Sequence, residues 1–103
     1  MYARVARYDV EPDRTGEAIE AFREAARQLE GLSGLKGGYV FADWEDGVIM
    51  SMTLWESRAA MDNSEVKAAG LRQEAAKSVE GTVVSVHCLD VAIEMGSTAV
   101  SRV

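Results

Sequence analysis

The sequence predicts an α+β fold, in which one antiparallel sheet carries two helices on one of its faces. The 103 residues suffice for a single hydrophobic core. The spacing of apolar residues changes between strand-like and helix-like periods in the order β-α-β-β-α-β. The two middle strands are separated by a short acidic segment with an Asp-Gly pair, which is typical of a hairpin. Together these observations indicate the ferredoxin-like βαββαβ arrangement.

The first strand and the first helix are separated by the only proline of the chain. Residues 2–10 are rich in β-branched and aromatic side chains and alternate in part, which predicts a strand. Pro12 lies just beyond it, at a natural boundary. Over residues 15–30 the apolar side chains recur on one helical face. Gly31 is expected to end this helix in the left-handed conformation.

The middle of the chain predicts a β-hairpin. Residues 39–44 and 48–56 are both apolar runs with strand character. Asp46 and Gly47 lie between them, and we expect a tight type I′ turn there, in which both central residues have positive φ.

The second helix and the last strand complete the predicted unit. Ser57 is placed to cap a short helical turn, which leads into a helix over residues 65–79. A long last strand is predicted over residues 82–94. Residues 2–95 therefore form a single predicted domain, and residues 96–103, which have no periodic pattern, are expected to be a frayed tail.

The apolar character of both sheet faces predicts an assembly. Successive side chains of a strand point to opposite faces, and in the third strand neither set carries a charge. The strand over residues 82–94 likewise lacks the charges of a solvated face. Two helices can cover only one face, so we expect a second copy to cover the other in a sheet-on-sheet homodimer. The alternative is a monomer with a modestly apolar face. The two sets of the third strand are Val48, Met50, Met52 and Leu54, and Ile49, Ser51, Thr53 and Trp55.

Charge and composition exclude several classes of partner. Eleven basic and 17 acidic residues give a net charge of −6, which argues against nucleic-acid binding through a basic surface. One histidine excludes a multi-histidine metal site within one chain, and no zinc, calcium or phosphate-binding motif occurs, so no metal is expected.

The same composition bears on the compartment. One cysteine cannot form an internal disulfide. No apolar run is long enough to span a bilayer, and the sequence begins without a signal-peptide core. We therefore expect a cytoplasmic protein that does not bind membranes.

One segment resembles a known family. Residues 53–61 read TLWESRAAM, a strand that ends aliphatic-aromatic-Glu-Ser and leads into a helix. This pattern, the glycine-rich residues 34–39 and the long last strand resemble the antibiotic biosynthesis monooxygenase (ABM) domains, over about residues 2–95. The resemblance implies a dimeric α/β-barrel in which two sheets close face to face. Some members oxidise polycyclic aromatic substrates with dioxygen and without a cofactor, so no cofactor is expected.

The resemblance does not extend to the haem-degrading members of that family. Those members use an Asn on the first strand, where this chain has Ala6. They also use a Trp and a His on the second helix, and residues 58–79 contain neither. We therefore predict that this protein does not degrade haem.

Two kinds of polar side chain are candidates for catalysis. His87 is the only histidine, and its imidazole could move a proton or hold a phenolate; the alternative is a half-buried structural histidine. Arg4 and Arg7 interrupt a strand that should be half buried, and either could orient an anionic oxygen. Their alternative is an ion pair with Asp9, Asp43 or Asp90. We take His87 and Arg7 as candidate catalytic residues, and Arg4 as a candidate substrate-binding residue.

Three aromatic residues are candidates for substrate binding. Trp55 could stack on a flat ligand, and Tyr8 and Tyr39 allow the same interpretation. Core packing is the alternative for each of the three.

Two functions follow from these residues. The first is a cofactor-independent oxygenase that acts on a hydrophobic aromatic or phenolic substrate. The second is a non-catalytic dimeric module that binds a hydrophobic ligand or partner. A pocket without convergent titratable groups would favour the second.

Overall fold

The computed structural model describes residues 1–96 and has the predicted order of elements. A 3₁₀ turn, Pro12–Arg14, precedes the first helix. Most of the predicted frayed tail, residues 97–103, lies outside the described residues. The six main elements are β1 (Tyr2–Asp9), α1 (Thr15–Leu29), β2 (Leu35–Asp43), β3 (Val48–Trp55), α2 (Arg58–Ser78) and β4 (Thr82–Asp90).

The four strands form one antiparallel sheet in the order β2-β3-β1-β4. Tyr8 of β1 packs against Phe22 of α1, and Arg4 of β1 contacts α2, so both helices cover the same face. This arrangement confirms the ferredoxin-like α+β fold. We call the opposite face the open face. Its residues, taken from the strand register, include Val5, Arg7, Tyr39, Phe41, Met50, Met52, Leu54, His87 and Leu89.

The hydrophobic core lies between the sheet and the helices. The rings of Tyr8 and Phe22 meet there with centroids 4.4 Å apart, and Ile49 and Ala18 are fully buried beside them. Small side chains along α2, such as Ala76, let that helix approach β1 and β4 closely. No helix within residues 1–96 is both long and apolar enough to cross a membrane.

The second helix differs from the prediction, because α2 runs without a break through residues 62–64. The expected cap at Ser57 is confirmed, since its hydroxyl oxygen accepts a bond from the Ala60 N–H at 3.1 Å. The predicted division into a short turn and a helix over residues 65–79 is wrong. The Ser64 hydroxyl instead donates to the Met61 carbonyl within the helix, and Arg4 donates to both residues from the sheet. This tertiary contact stabilises the helical turn against the local capping preference of serine.

The hairpin also differs from the prediction. Four residues, 44–47, connect β2 and β3, and Gly47 has a φ of +70° while Asp46 does not have a positive φ. The prediction of a type I′ turn is therefore wrong. The Asp43 side chain accepts bonds from the N–H groups of Glu45 and Asp46, and the Gly47 N–H donates to the Asp43 carbonyl. These bonds favour a wider turn that needs a left-handed residue only at its end.

Two strand boundaries shift because of strand pairing. β2 begins at Leu35, before the predicted residue 39, since Gly37 and Gly38 pair with β3 across a register shift. β4 ends at Asp90 instead of residue 94, because Asp90 lies opposite Tyr2, the first residue of its partner strand.

Candidate functional site

A pocket of about 370 Å³ lies between the helix-covered face of the sheet and the two helices. Its wall is mostly apolar, with contributions from both helices and from β2 and β3. The polar groups that reach it come from β1, β3 and α2, and Glu30 lies at its exposed edge. The polar lining residues of the strands and of α2 are Arg4, Tyr8, Ser51, Thr53 and Arg72.

Backbone without side chains forms one side of this pocket. Gly37 and Gly38 of β2 both line it. A Cβ added at Gly38 would collide with the carbonyl oxygen of Met52 on the neighbouring strand. Glycine is therefore required there for the close approach of β2 and β3, and the pocket keeps the space that a side chain would fill.

Arg4 is buried at the inner end of the pocket, with 4% of its surface exposed. Its Nη2 donates to the Met61 carbonyl at 2.7 Å, and both Nη atoms lie 3.2 Å from the Ser64 hydroxyl. Its Nε forms an ion pair with Glu65 Oε1 at 3.0 Å. The guanidinium also lies 5.7 Å from the ring centroid of Trp55. Arg4 therefore faces inward, and both of its Nη atoms donate to α2, whereas Nε is buried with only the ion pair to Glu65.

The predicted ion pairs are found for one of the two arginines. Arg7 pairs with Asp9 at 3.2 Å on the exposed side of β1. Arg4 pairs with Glu65 and with none of the three predicted acids. The sequence did not point to Glu65 because it belongs to α2, far along the chain, and only the fold brings it to β1.

Arg72 of α2 is a pocket residue that the sequence prediction missed. Its side chain is 11% exposed, and its Nη2 lies 2.8 Å from Glu65 Oε2. In the sequence it stands among charged residues and reads as part of a solvated helix face. One signal was available: Arg72 lies four residues after Ala68, which is buried against the sheet, and follows Leu71, which lines the pocket.

Tyr8 presents its hydroxyl to the same space. The Tyr8 and Ser51 hydroxyl oxygens are 3.1 Å apart. Burial raises the pKa of Tyr8 above its ordinary value, against the opposing effects of the Ser51 hydrogen bond and of the charges on Arg72 and Arg4. The phenol is therefore neutral at neutral pH, and its O–H can be donated to Ser51 or to a ligand.

The other two aromatic candidates are less well placed, because Trp55 does not line the pocket and Tyr39 is mostly exposed. Trp55 is fully buried beneath Arg4, and its indole N–H donates to the Thr53 hydroxyl at 2.9 Å. Tyr39 lines the pocket from β2, but its residue is 64% exposed, and its ring stacks on Phe41 at a centroid distance of 5.9 Å. Trp55 thus supports Arg4, which agrees with core packing. The register of β2 places the Tyr39 ring on the open face beside Phe41, so Tyr39 borders the pocket only from the edge of the sheet.

The two candidate catalytic residues lie on the open face. His87 pairs in register with Val5, and Arg7 pairs with Ser85 and Met50. The sheet therefore separates His87 and Arg7 from the pocket. A role for either residue requires a ligand or a second chain on the open face.

Two further observations bear on cofactor chemistry. Ala6, which was compared above with the first-strand Asn of the haem-degrading members, is 1% exposed within the hydrophobic core. Within residues 1–96, no three His, Cys, Asp or Glu side chains lie close enough together to form a metal site.

Solved structures with the same fold include three from bacteria. A Deinococcus radiodurans protein assigned to the antibiotic biosynthesis monooxygenases has a TM-score of 0.74 at 14% identity, over 93% of this chain and 97% of that chain. SnoaB, a cofactor-independent oxygenase from Streptomyces nogalater, has a TM-score of 0.72 at 13% identity, over 91% and 95%. Rv0793 from Mycobacterium tuberculosis has a TM-score of 0.71 at 16% identity, over 92% and 98%.

Sequence comparison gives the family. No curated protein sequence is significantly similar to the chain. The family model described as antibiotic biosynthesis monooxygenase matches residues 1–69, which include β1, α1, the hairpin and the first half of α2. The chain therefore belongs to the antibiotic biosynthesis monooxygenase family.

Proposed function

We propose that this protein is a homodimeric oxygenase that acts without a cofactor on a hydrophobic aromatic or phenolic molecule held in the pocket. The observation that carries the proposal is the pocket itself, an apolar cavity of about 370 Å³ with the Tyr8–Ser51 pair on its sheet side. The fold shared with SnoaB, a cofactor-independent oxygenase, supports the same reaction class.

The apolar wall and the neutral phenol have separate tasks in this reaction. The wall holds the rings of the substrate and excludes water, which strengthens each polar contact inside. The Tyr8 hydroxyl donates to a substrate oxygen and stabilises the charge that develops there when the substrate loses a proton to solvent at the open edge of the pocket, where Glu30 lies. The substrate anion then supplies electrons to dioxygen. For an anthrone-like substrate, a CH₂ group and O₂ give a C=O group and one water.

The open face supports the dimeric part of the proposal. Tyr39, Phe41 and Leu89 are each at least half exposed there, and Met50 of β3, between β2 and β1, is 37% exposed. An apolar surface of this kind on a small acidic protein is typical of an interface. A second copy of the chain would cover it and give the dimeric barrel that the family resemblance implies.

Oxygen uptake tests the reaction. The protein is mixed with an anthrone or a polycyclic phenol in air-saturated buffer, and dioxygen is followed with an electrode. We expect protein-dependent uptake that Tyr8→Phe lowers about tenfold, the effect of about one hydrogen bond. Tyr2→Phe, on the same strand and outside the pocket, is the matched control and should retain the rate.

Two other results would change the assignment. Saturable binding of these molecules without any dioxygen uptake would favour the second function, a dimeric module that binds a hydrophobic ligand. A loss of uptake in His87→Ala or Arg7→Ala, with Tyr8→Phe unaffected, would move the reaction to the open face.

A further inference from the structure

We propose that the pocket binds its ligand as an anion, an apolar acid whose carboxylate or phenolate oxygen pairs with Arg72. The proposal rests on the proposed function only in taking this pocket as the ligand site. It specifies the chemical class of the ligand, which the apolar wall alone leaves open.

Charge balance is the first argument. Three charged side chains form a connected cluster at the inner end of the pocket, Arg4, Glu65 and Arg72. Two guanidinium groups share one carboxylate, so the cluster carries a net charge of +1 in a chain whose net charge is −6. Glu30 is the acidic residue of the lining, and it is exposed at the edge of the pocket, where solvent screens its charge.

The use of hydrogen-bond donors is the second argument. Arg4 directs its guanidinium to Met61, Ser64 and Glu65. Arg72, in contrast, has Glu65 as its hydrogen-bond acceptor within residues 1–96, through Nη2. A guanidinium has five N–H donors, so Nε and Nη1 of Arg72 are available at the wall of the cavity. Arg4 is structural, and Arg72 is the residue that can bind.

Burial makes this availability significant. The Arg72 side chain is 11% exposed and lies beside apolar lining residues such as Leu71 and Ala68. The spare donors of Arg72 are not among the fully buried unpaired atoms of residues 1–96, so they keep contact with water in a mostly apolar cavity. An anion that displaces this water gains a charge-assisted hydrogen bond in a setting of low polarity. A carboxylate or phenolate oxygen matches the planar donor edge of a guanidinium.

Tyr8 gives the site a second donor. The positive charges of Arg72 and Arg4 both act on the Tyr8 hydroxyl, where they oppose the effect of burial on its pKa. Tyr8 and Arg72 line the same pocket, so a ligand whose anionic oxygen pairs with Arg72 lies in the cavity that the neutral phenol also lines. The rest of the ligand would lie along the apolar wall toward Leu29 and Val40.

A pair of probes with one ring system tests the charge preference. We would measure binding of 2-naphthoate and of neutral 2-naphthylmethanol to the full chain by isothermal titration calorimetry, at low salt and neutral pH. The expected result is at least tenfold tighter binding of the naphthoate. Arg72→Met should remove this preference and leave the affinity for the alcohol unchanged. Arg58→Met, an exposed arginine on the same helix, should retain both affinities, and Arg72→Lys should retain part of the preference.

Several outcomes would overturn the proposal. These are equal affinity for the two probes in the wild type, equal weakening of both by Arg72→Met, or no binding of naphthoate at all. If Arg72→Met does not fold, as judged by thermal unfolding, the comparison of the two probes on the wild-type protein still tests whether the pocket prefers an anion.

A third probe, 2-naphthol, distinguishes the two sources of the anionic oxygen. A naphtholate absorbance spectrum in the complex at neutral pH would support a phenolate ligand, because the site would then lower the pKa of the bound phenol. Tight naphthoate binding with naphthol bound only in its neutral form would support a carboxylate ligand.

The result is separable from that of the oxygen-uptake test. Selective naphthoate binding without dioxygen uptake from any phenolic substrate would leave the anion site in place and contradict the oxygenase. Dioxygen uptake that Arg72→Met does not alter, in a protein that shows no preference for naphthoate, would support the oxygenase and contradict the anion site.

Discussion

Arg4 is the charged side chain that the fold buries most completely, and it joins β1 to the middle of α2. Its bonds to Met61 and Ser64 stabilise the helical turn at which the local sequence favours a break. Its Nε faces Glu65, which in turn contacts Arg72. One guanidinium thus supports a helix and, through Glu65, a wall of the pocket.

Replacing this guanidinium should cost stability. Arg4→Met removes the bonds to the Met61 carbonyl and to Ser64, and leaves buried polar atoms without partners. We expect a loss of about 2 kcal/mol in the free energy of unfolding. Arg7→Met, three residues along the same strand, removes only an exposed pair with Asp9 and should cost less than about 0.5 kcal/mol. Urea unfolding of both variants gives the comparison, and equal losses would contradict the structural role of Arg4.

Tyr8 should make the alkaline stability of the protein depend on pH. Burial raises its pKa above 10.0, so the folded protein retains this proton at pH values where the unfolded chain has lost it. The corresponding stability is fully present below pH 10.0 and falls as the pH rises above that value. An absorbance titration of tyrosinate should show a late component that Tyr8→Phe removes and Tyr2→Phe retains. An identical titration of both variants would contradict the burial of the phenol.

Among the elements, the hairpin shows how much of the fold local sequence could predict. The Asp46-Gly47 pair correctly placed a turn between β2 and β3, because glycine with positive φ ends many such turns. It did not predict the turn type. That type depends on the Asp43 side chain, which bonds to two N–H groups of the loop, and on the Val10 N–H, which donates to the Gly47 carbonyl at 2.8 Å.

Two glycines with similar positive φ values allow two effects of a glycine-to-alanine substitution to be compared. One effect is backbone strain alone, and the other is strain together with a steric collision of the new Cβ. Gly47 has φ +70°, and a Cβ there would collide with the Val10 carbonyl oxygen. Gly31 has φ +87°, with open space around the position of the Cβ. We expect Gly31→Ala to lower the free energy of unfolding by about 1 kcal/mol and Gly47→Ala by more than about 2 kcal/mol. Chemical denaturation measures both, and equal losses would show that the turn moves to accept the methyl group.

On the scale of the whole molecule, the sheet separates two apolar surfaces of different kinds. The helix-covered side holds the core and the pocket. The open face holds side chains such as Phe41 and Leu89, each about half exposed. Alternation along the strands predicted this division from the sequence, since it depends only on the two-residue period. The alternation placed Arg4 and Arg7 on opposite faces of β1 but did not show which of them faced the helices, because either arginine could form an ion pair with an acidic residue.

Covering the open face should make the protein a dimer. Light scattering at micromolar concentration is expected to give about twice the 11.2 kDa mass of the chain. Met50 lies in register between Arg7 and Phe41 on the open face, so Met50→Lys should yield the monomer. Val66→Lys, at an 88% exposed position of α2, is the control and should remain dimeric. A wild-type mass of one chain would contradict the proposed assembly.

Only part of the pocket could be predicted from the sequence, because its charged cluster joins residues that are far apart along the chain. Tyr8 and Arg4 could be chosen from the sequence, because a tyrosine and an arginine in a half-buried strand each need a partner or a ligand. Arg72 and Glu65 could not, because helices with many charges are usually solvated. Only the packing of α2 on β1 brings Arg4, Glu65 and Arg72 together.

The alternation along β1 has a consequence for engineering this protein. Arg4 and Tyr8 reach the ligand side, whereas Val5 and Arg7, each one residue away, belong to the surface proposed for assembly. Substitutions at neighbouring positions of one strand can therefore alter ligand preference and quaternary structure separately. A library that randomises position 8, and keeps the structural Arg4, varies ligand chemistry on a constant interface. A library that randomises positions 5 and 7 varies association around a constant pocket.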